Sequence, residues 1–344
     1  YCEATLRRIA AIDIRKPQRQ HWKELVAQSA DTLEAAGIVG NLIVARYLHD
    51  AQTQVKLFTL DGKPFRDVEF EGVVSASGFS GHRSDTETFY LVESFAIPSS
   101  LYHYDLLRGE SKLVHRPRTK FDPDSFNTRQ LVSTSKDGTR IPMFLTCRKG
   151  LKTDGSTPTL LWGYGGFNIS IVPEFRAARI AWLEMGGILA IPNLRGGGEY
   201  GEEWHKAGTK LQKQNVFDDF IAAAEYLIRE GYTNKEKLVI QGRSNGGLLV
   251  GAAMTQRPDL FGAALPAVGV MDMLRFNQFS AGRFWTDDYG SAQNPAEFEA
   301  LRSYSPYHNI KPGTNYPPTF ITTADTDDRV VPGHSFKYAA RMQA

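Results

Sequence analysis

The sequence predicts two architectures in one chain. A β-rich unit, read as part of a β-propeller, precedes an α/β unit whose mostly parallel sheet carries helices on both faces. Three observations carry this expectation. Short runs rich in β-branched and aromatic residues fill the first 120 residues or so, and a turn pattern recurs there at intervals in the forties. Beyond them, apolar strands alternate with helices over some 200 residues.

Size and composition fit that plan. At 344 residues the chain is too long for one ordinary domain, and 42% hydrophobic with 23% charged residues is a globular composition. Forty basic side chains against 38 acidic ones leave a net charge of +2, so no field draws the chain to nucleic acid. The longest charge-free apolar stretch, Leu260 to Met271, contains Gly and Pro and is too short to span a bilayer. Cys2 and Cys147 cannot build a disulfide framework and point to a reducing compartment, here read as cytoplasmic. The eight histidines show no ligand-like spacing, and neither a metal nor another cofactor is expected. The chain starts at Tyr1 rather than Met and stops at Ala344 within a helix expected from Ser335 to Gln343, so both ends read as cut.

The expected strands of the first unit are Leu42 to Leu48, Val55 to Leu60, Thr88 to Val92 and Leu101 to Tyr104. Asp61-Gly62 and Arg108-Gly109 supply turn signals. An apolar strand ending in aspartate and then a turn occurs at Asp13, Asp61 and Asp105, at intervals of 48 and 44 residues. Such a period fits propeller blades; a sandwich with similar hairpins fits it as well. From Arg116 to Asn127 the chain is irregular and Pro-punctuated, so a boundary is set there, with units of residues 1–120 and 121–344.

In the second unit a strand pair flanks Ser135 to Gly138. The expected strands after it are Thr159 to Trp162, Gly187 to Ile191, Lys237 to Gln241, Ala263 to Val268 and Thr319 to Thr323. The clearest helix runs from Val216 to Glu230, with Phe217, Phe220, Ile221, Ala224, Leu227 and Ile228 on one face. Asn215 is the expected cap, Asp218 and Asp219 suit the positive helix start, and Gly231 ends it.

The most informative segment is Leu238 to Val250, an apolar strand running through Gly242-Arg243-Ser244-Asn245-Gly246 into an apolar helix. This is the context of a nucleophile elbow, as in α/β-hydrolases. Gly242 and Gly246 lack the Cβ atoms that would collide at so sharp a turn, Ser244 projects from the apex, and the Asn245 amide faces a developing oxyanion. The triad acid should follow a later strand, which leaves Asp325, Asp327 and Asp328 in competition. Gly196-Gly197-Gly198-Glu199-Tyr200-Gly201 satisfies a dinucleotide fingerprint. However, four residues separate it from its strand and no acid ends a following strand, so it reads as a loop beside the active site.

Four segments in order, Gly163 to Ser170, Asn193 to Gly201, Ser244 to Gly247 and Thr323 to Pro332, resemble the prolyl oligopeptidase family, and the resemblance covers essentially the whole chain. It implies a seven-bladed propeller over an α/β-hydrolase domain, and a serine endopeptidase cleaving short peptides after proline through an acyl-enzyme. By resemblance Ser244 is the nucleophile and Asp327 the triad carboxylate, while Tyr164 shares the oxyanion hole with Asn245. Trp285 stacks on the substrate proline, Phe167, Val270, Tyr289 and Val330 line its pocket, and Arg329 holds a substrate carbonyl. The family's histidine lies some tens of residues past the aspartate. His334 instead matches a non-catalytic position, so the triad histidine and the first blades are expected outside the chain, and residues 1–344 alone are expected to be nearly inactive. The partners implied are short proline-containing peptides, with no membrane, and a monomer is expected. Two alternatives stay open: a related exopeptidase or acyl-peptide hydrolase, and a non-catalytic truncated binding protein.

Overall fold

Short antiparallel strands build the β-rich part of the chain, seen in a computed structural model that describes residues 4–344; Cys2 lies outside the described residues. β1 (Ile9–Ala11) and β2 (Lys23–Val26) pair antiparallel. β3 (Thr32–Val39), β4 (Leu42–His49), β5 (Gln52–Thr59) and β6 (Pro64–Val68) form a four-stranded sheet in chain order. A second such sheet holds β7 (Ser75–Ser80), β8 (Glu87–Glu93), β9 (Ser100–Asp105) and β10 (Glu110–His115). All four predicted strands are present. Asp61 follows the third strand of one sheet and Asp105 ends the third strand of the next, so their 44-residue interval is the step between sheets. Each caps its turn: Thr59 Oγ1 donates to Asp61 Oδ1, and the amides of Leu107 and Arg108 donate to Asp105 Oδ1. The side chains between the sheets are apolar and aromatic, with Phe79 stacked on Tyr90 at 4.6 Å and Tyr90 on Tyr102 at 5.3 Å.

The chain divides into two compact units, one of residues 1–128, 170–180 and 199–203, the other of residues 129–169, 181–198 and 204–344. The second unit is built on a six-stranded sheet. Its strands are β11 (Phe126–Thr134), β12 (Arg140–Arg148), β13 (Thr159–Trp162), β14 (Ile188–Pro192), β15 (Leu238–Arg243) and β16 (Ala263–Ala267), in the order β11-β12-β14-β13-β15-β16. β12 runs antiparallel to β14, and the steps β14-β13-β15-β16 are parallel.

Two expectations need correction. Thr319 to Thr323 is not a full strand: it makes isolated parallel bridges at Ala264–Thr319 and Ala267–Thr322. Its ladder still carries Phe320 N–H to Ala264 O and Thr322 N–H to Pro266 O, but Pro317 and Pro318 have no N–H with which to extend it. The predicted helix spans Gln214–Arg229 and starts without a side-chain cap. Asn215 instead donates to Ala207 O, because a 3-10 turn at Lys210–Gln212 leads directly into the helix. Asp218 and Asp219 therefore fall beyond its first turn. The helix's apolar face behaves as expected: Phe217, Phe220, Ala224 and Leu227 are fully buried, and each large side chain there contributes about 1.5–3 kcal/mol. Gly231, at φ +72°, ends the helix. Among the described residues no helix is long and apolar enough to cross a membrane.

Candidate active site

β15 turns into the Asn245–Gln256 helix at Ser244, whose backbone stands at φ 59° and ψ −117°. A non-glycine residue there is strained, and such strain persists only where the surroundings fix it. They do so here. The Ser244 amide donates to Ala267 O at 2.9 Å, and its carbonyl accepts from Gly247 and Leu248. A Cβ on Gly242 would overlap the Gly246 carbonyl, one on Gly246 would sit 2.5 Å from Gly163 O, and one on Gly247 would sit 2.6 Å from Gly269 Cα. The glycines thus let strand, helix and the Gly163–Phe167 loop close on one point.

One pocket is lined by Ser244, Tyr164, Phe167, Val270, Trp285, Tyr289 and Arg329, together with Ile169 and Phe284, which sequence reasoning did not single out. Phe284 is 70% exposed at this pocket. Val330 is buried and belongs to the surrounding core rather than to the lining. Trp285 is half-buried and packs on the same core. The Arg329 guanidinium has no ion-pair partner among the described residues. The three competing acids also differ: Asp327 Oδ1 accepts from the amides of Arg329 at 3.0 Å and Val330 at 2.9 Å, whereas Asp325 and Asp328 are exposed. The Ser280 hydroxyl donates to the Asp328 carbonyl.

The loop carrying Tyr164 rests on buried polar groups that the sequence did not reveal. The Asn245 side-chain amide donates to Tyr164 O at 2.5 Å, and its oxygen accepts from Tyr289 Oη at 2.9 Å. Lys213 Nζ donates to Gly165 O at 2.9 Å and lies 3.6 Å from Asp288 Oδ2. Asp288 Oδ1 accepts from the Phe167 amide at 3.0 Å and pairs with His205 Nε2 at 2.9 Å. Burial works to raise the Asp288 carboxyl. Lys213 and His205 outweigh it and hold it below the usual carboxylate range. Burial, and then Asp288, push the Tyr164 phenol up, so it stays a hydrogen-bond donor through neutral pH.

The Gly-rich segment packs on this loop: the Asn168 amide donates to Gly196 O, and a Cβ on Gly196 would meet the Gly165 carbonyl at 3.0 Å. Arg195 just before it is tied to Asp219 and Asp137, with the Ser135 hydroxyl donating to Asp219 Oδ1 at 2.6 Å. Asp219 therefore serves this buried network rather than the helix start. Three histidines lie in this unit, and each has another partner. His205 pairs with Asp288, His308 contacts Ser305 Oγ at 2.8 Å, and buried His334 accepts the Asp272 amide at Nδ1.

Family models identify the relationship. Residues 2–117 match the prolyl oligopeptidase N-terminal β-propeller domain, and residues 173–344 match the prolyl oligopeptidase family. The chain belongs to the prolyl oligopeptidase family. It is 48% identical to a prolyl endopeptidase of Elizabethkingia meningoseptica, over 99% of this chain and 48% of that protein. A prolyl endopeptidase of Dictyostelium discoideum is 41% identical over 94% of this chain and 43% of its own length. A structure solved in a study of two prolyl endopeptidases superposes with a TM-score of 0.96 at 46% identity, covering 99% of this chain and 50% of that one. The chain spans about half the length of the curated relatives it matches. Its fold is an α/β-hydrolase unit with propeller sheets.

Proposed function

We propose that this chain carries the nucleophile and substrate pocket of a serine endopeptidase that cleaves short peptides on the carboxyl side of proline. The observation that carries the reading is the sharing of one pocket by a strained, half-exposed Ser244, the Tyr164 phenol and the Trp285 indole. Ser244 Oγ attacks the carbonyl after proline and forms the acyl-enzyme. Asp327 holds the imidazole of a histidine, which the family resemblance implies, and that histidine moves the proton from Ser244 to the leaving amine. The Tyr164 hydroxyl and the Asn245 amide receive the negative charge, each on a scale of about 3 kcal/mol of barrier. Trp285 offers a flat apolar face to a pyrrolidine ring that has no N–H, with Phe167, Val270 and Tyr289 shaping the space around it and Val330 backing that wall from the core. The Arg329 guanidinium, which lines the pocket, receives the carbonyl before the proline.

In the same reading, residues 1–120 supply blades of a seven-bladed propeller, residues 121–344 form the peptidase domain, and helices cover both faces of its sheet. The protein works as a monomer on proline-containing peptides. Fluorophosphonate labelling of the protein made from its complete reading frame tests the assignment. One label per chain is expected, lost in Ser244→Ala together with cleavage of a blocked Gly-Pro-chromophore peptide. Labelling that survives Ser244→Ala sinks the reading.

A further inference from the structure

The loop from Gly163 to Phe167 has to hold a phenol at a fixed point, yet it contains three glycines and one residue, Phe167, at φ 58°. Such a backbone does not hold itself. Its polar groups are instead gripped one after another: Tyr164 O by Asn245, Gly165 O by Lys213, and the Phe167 amide by Asp288. The three gripping residues are 1%, 1% and 4% exposed. They are also joined to one another. Lys213 faces Asp288 at 3.6 Å and lies 5.3 Å from the centre of the Tyr289 ring, whose hydroxyl binds Asn245.

A buried lysine–carboxylate pair is a poor way to gain stability, because both charges lose their water. Its geometry here suits a different task. The ammonium and the carboxylate take hold of a carbonyl and an amide two residues apart on the same loop, one from each sign of charge. From this we infer that Lys213 and Asp288 are positioning residues for the oxyanion-binding phenol of Tyr164, acting through the loop backbone rather than by touching substrate. The inference rests on the reading of Tyr164 given above. His205, which shares Asp288 Oδ1 with the Phe167 amide, orients that carboxylate.

The test is a double-mutant cycle in the protein made from its complete reading frame. Lys213→Met and Asp288→Asn each leave a partner behind in the core, so the charge-free pair Lys213→Met/Asp288→Asn is included as the variant that avoids a stranded charge. Turnover of a blocked Gly-Pro-chromophore peptide should fall about 100-fold in that double variant, the scale of a displaced catalytic group, with KM within about threefold. In a Tyr164→Phe background the same pair of substitutions should cost less than about threefold more, since the phenol they position is gone. Losses that multiply in the Tyr164→Phe background would overturn the inference while leaving the reading of Tyr164 intact. So would a folded charge-free variant with unchanged kcat. A Tyr164→Phe protein with full kcat would instead overturn the reading of Tyr164, and the inference with it.

Discussion

His334 shows how strongly surroundings decide what a residue can do. It is the histidine that follows Asp327 in the sequence, yet it lies buried, with its ring edge-on to Phe279 at 5.1 Å and Nδ1 taken by the Asp272 amide. Burial, helped by nearby Lys337 and opposed by Asp272, holds its pKa down to about 4. The unfolded chain binds a proton there near the ordinary value of 6.5, so between the two values unfolding takes up a proton. Stability should therefore fall as pH drops from about 6.5 towards 4, by up to about 3 kcal/mol from this residue. Urea denaturation at pH 7 and pH 5 should show this as a lower midpoint at pH 5, and His334→Asn should flatten the difference. An unflattened pH dependence would remove His334 from the account. The same scale explains what was hidden from sequence reading. Ser244 announces itself through its neighbours Gly242 and Gly246, but Asp288 meets Phe167 across 121 residues and His205 across 83. Pairings at such distance leave no local pattern.

Elements were more legible where a steric rule governs them. The strand Thr159 to Trp162 and the turn from β15 into its helix stand where the pattern puts them, because apolar runs and glycine spacing record packing directly. The cap at Asn215 failed because the preceding 3-10 turn removed the need for one. Thr319 to Thr323 looked like its neighbours in composition, and what limits it is two prolines just upstream. The elbow offers a sharp check on the steric argument. Gly242→Ala should destabilise the protein by about 2–3 kcal/mol and abolish fluorophosphonate labelling, as the new methyl has only backbone to push against. Gly333→Ala, in open space at the start of a helix, should be neutral or slightly stabilising in the same denaturation assay. Equal effects of the two substitutions would refute the packing account of the elbow.

For the molecule as a whole, the two units carry separate hydrophobic cores. The first holds a cluster of Val39, Val55, Leu57, Phe79 and Tyr90 beside one of Leu33, Ile43, Tyr47 and Phe58, and the second gathers Leu161, Phe217, Phe220, Leu248 and Met271. Units whose buried clusters are not shared imply more than one cooperative transition. Calorimetry should resolve two, and Phe217→Ala, at a cost of about 3–5 kcal/mol, should lower only one of them. A single transition that shifts as a block would contradict the division. The propeller period was legible because each sheet repeats its Asp turn, whereas the return of residues 170–180 and 199–203 to the first unit was not, since nothing in their composition marks them.

Ala267 and Val268 have a longer reach than their size suggests. Ala267 O receives the Ser244 amide, and the Val268 amide donates to Thr322 O at 2.7 Å, so the elbow and the segment leading to Asp327 are both fastened to one dipeptide. The 50 residues from Gly269 to Pro318 loop out between those two fastenings and bring Val270, Trp285 and Tyr289 to the pocket. Pocket-facing positions of that excursion such as Val270 and Phe284 can change without resetting the gauge between Ser244 and Asp327, whereas Asp288 and Tyr289 are tied to the Tyr164 loop and to Asn245. The walls of the pocket can thus be rebuilt while the turn at Ser244 and the segment leading to Asp327 keep their places.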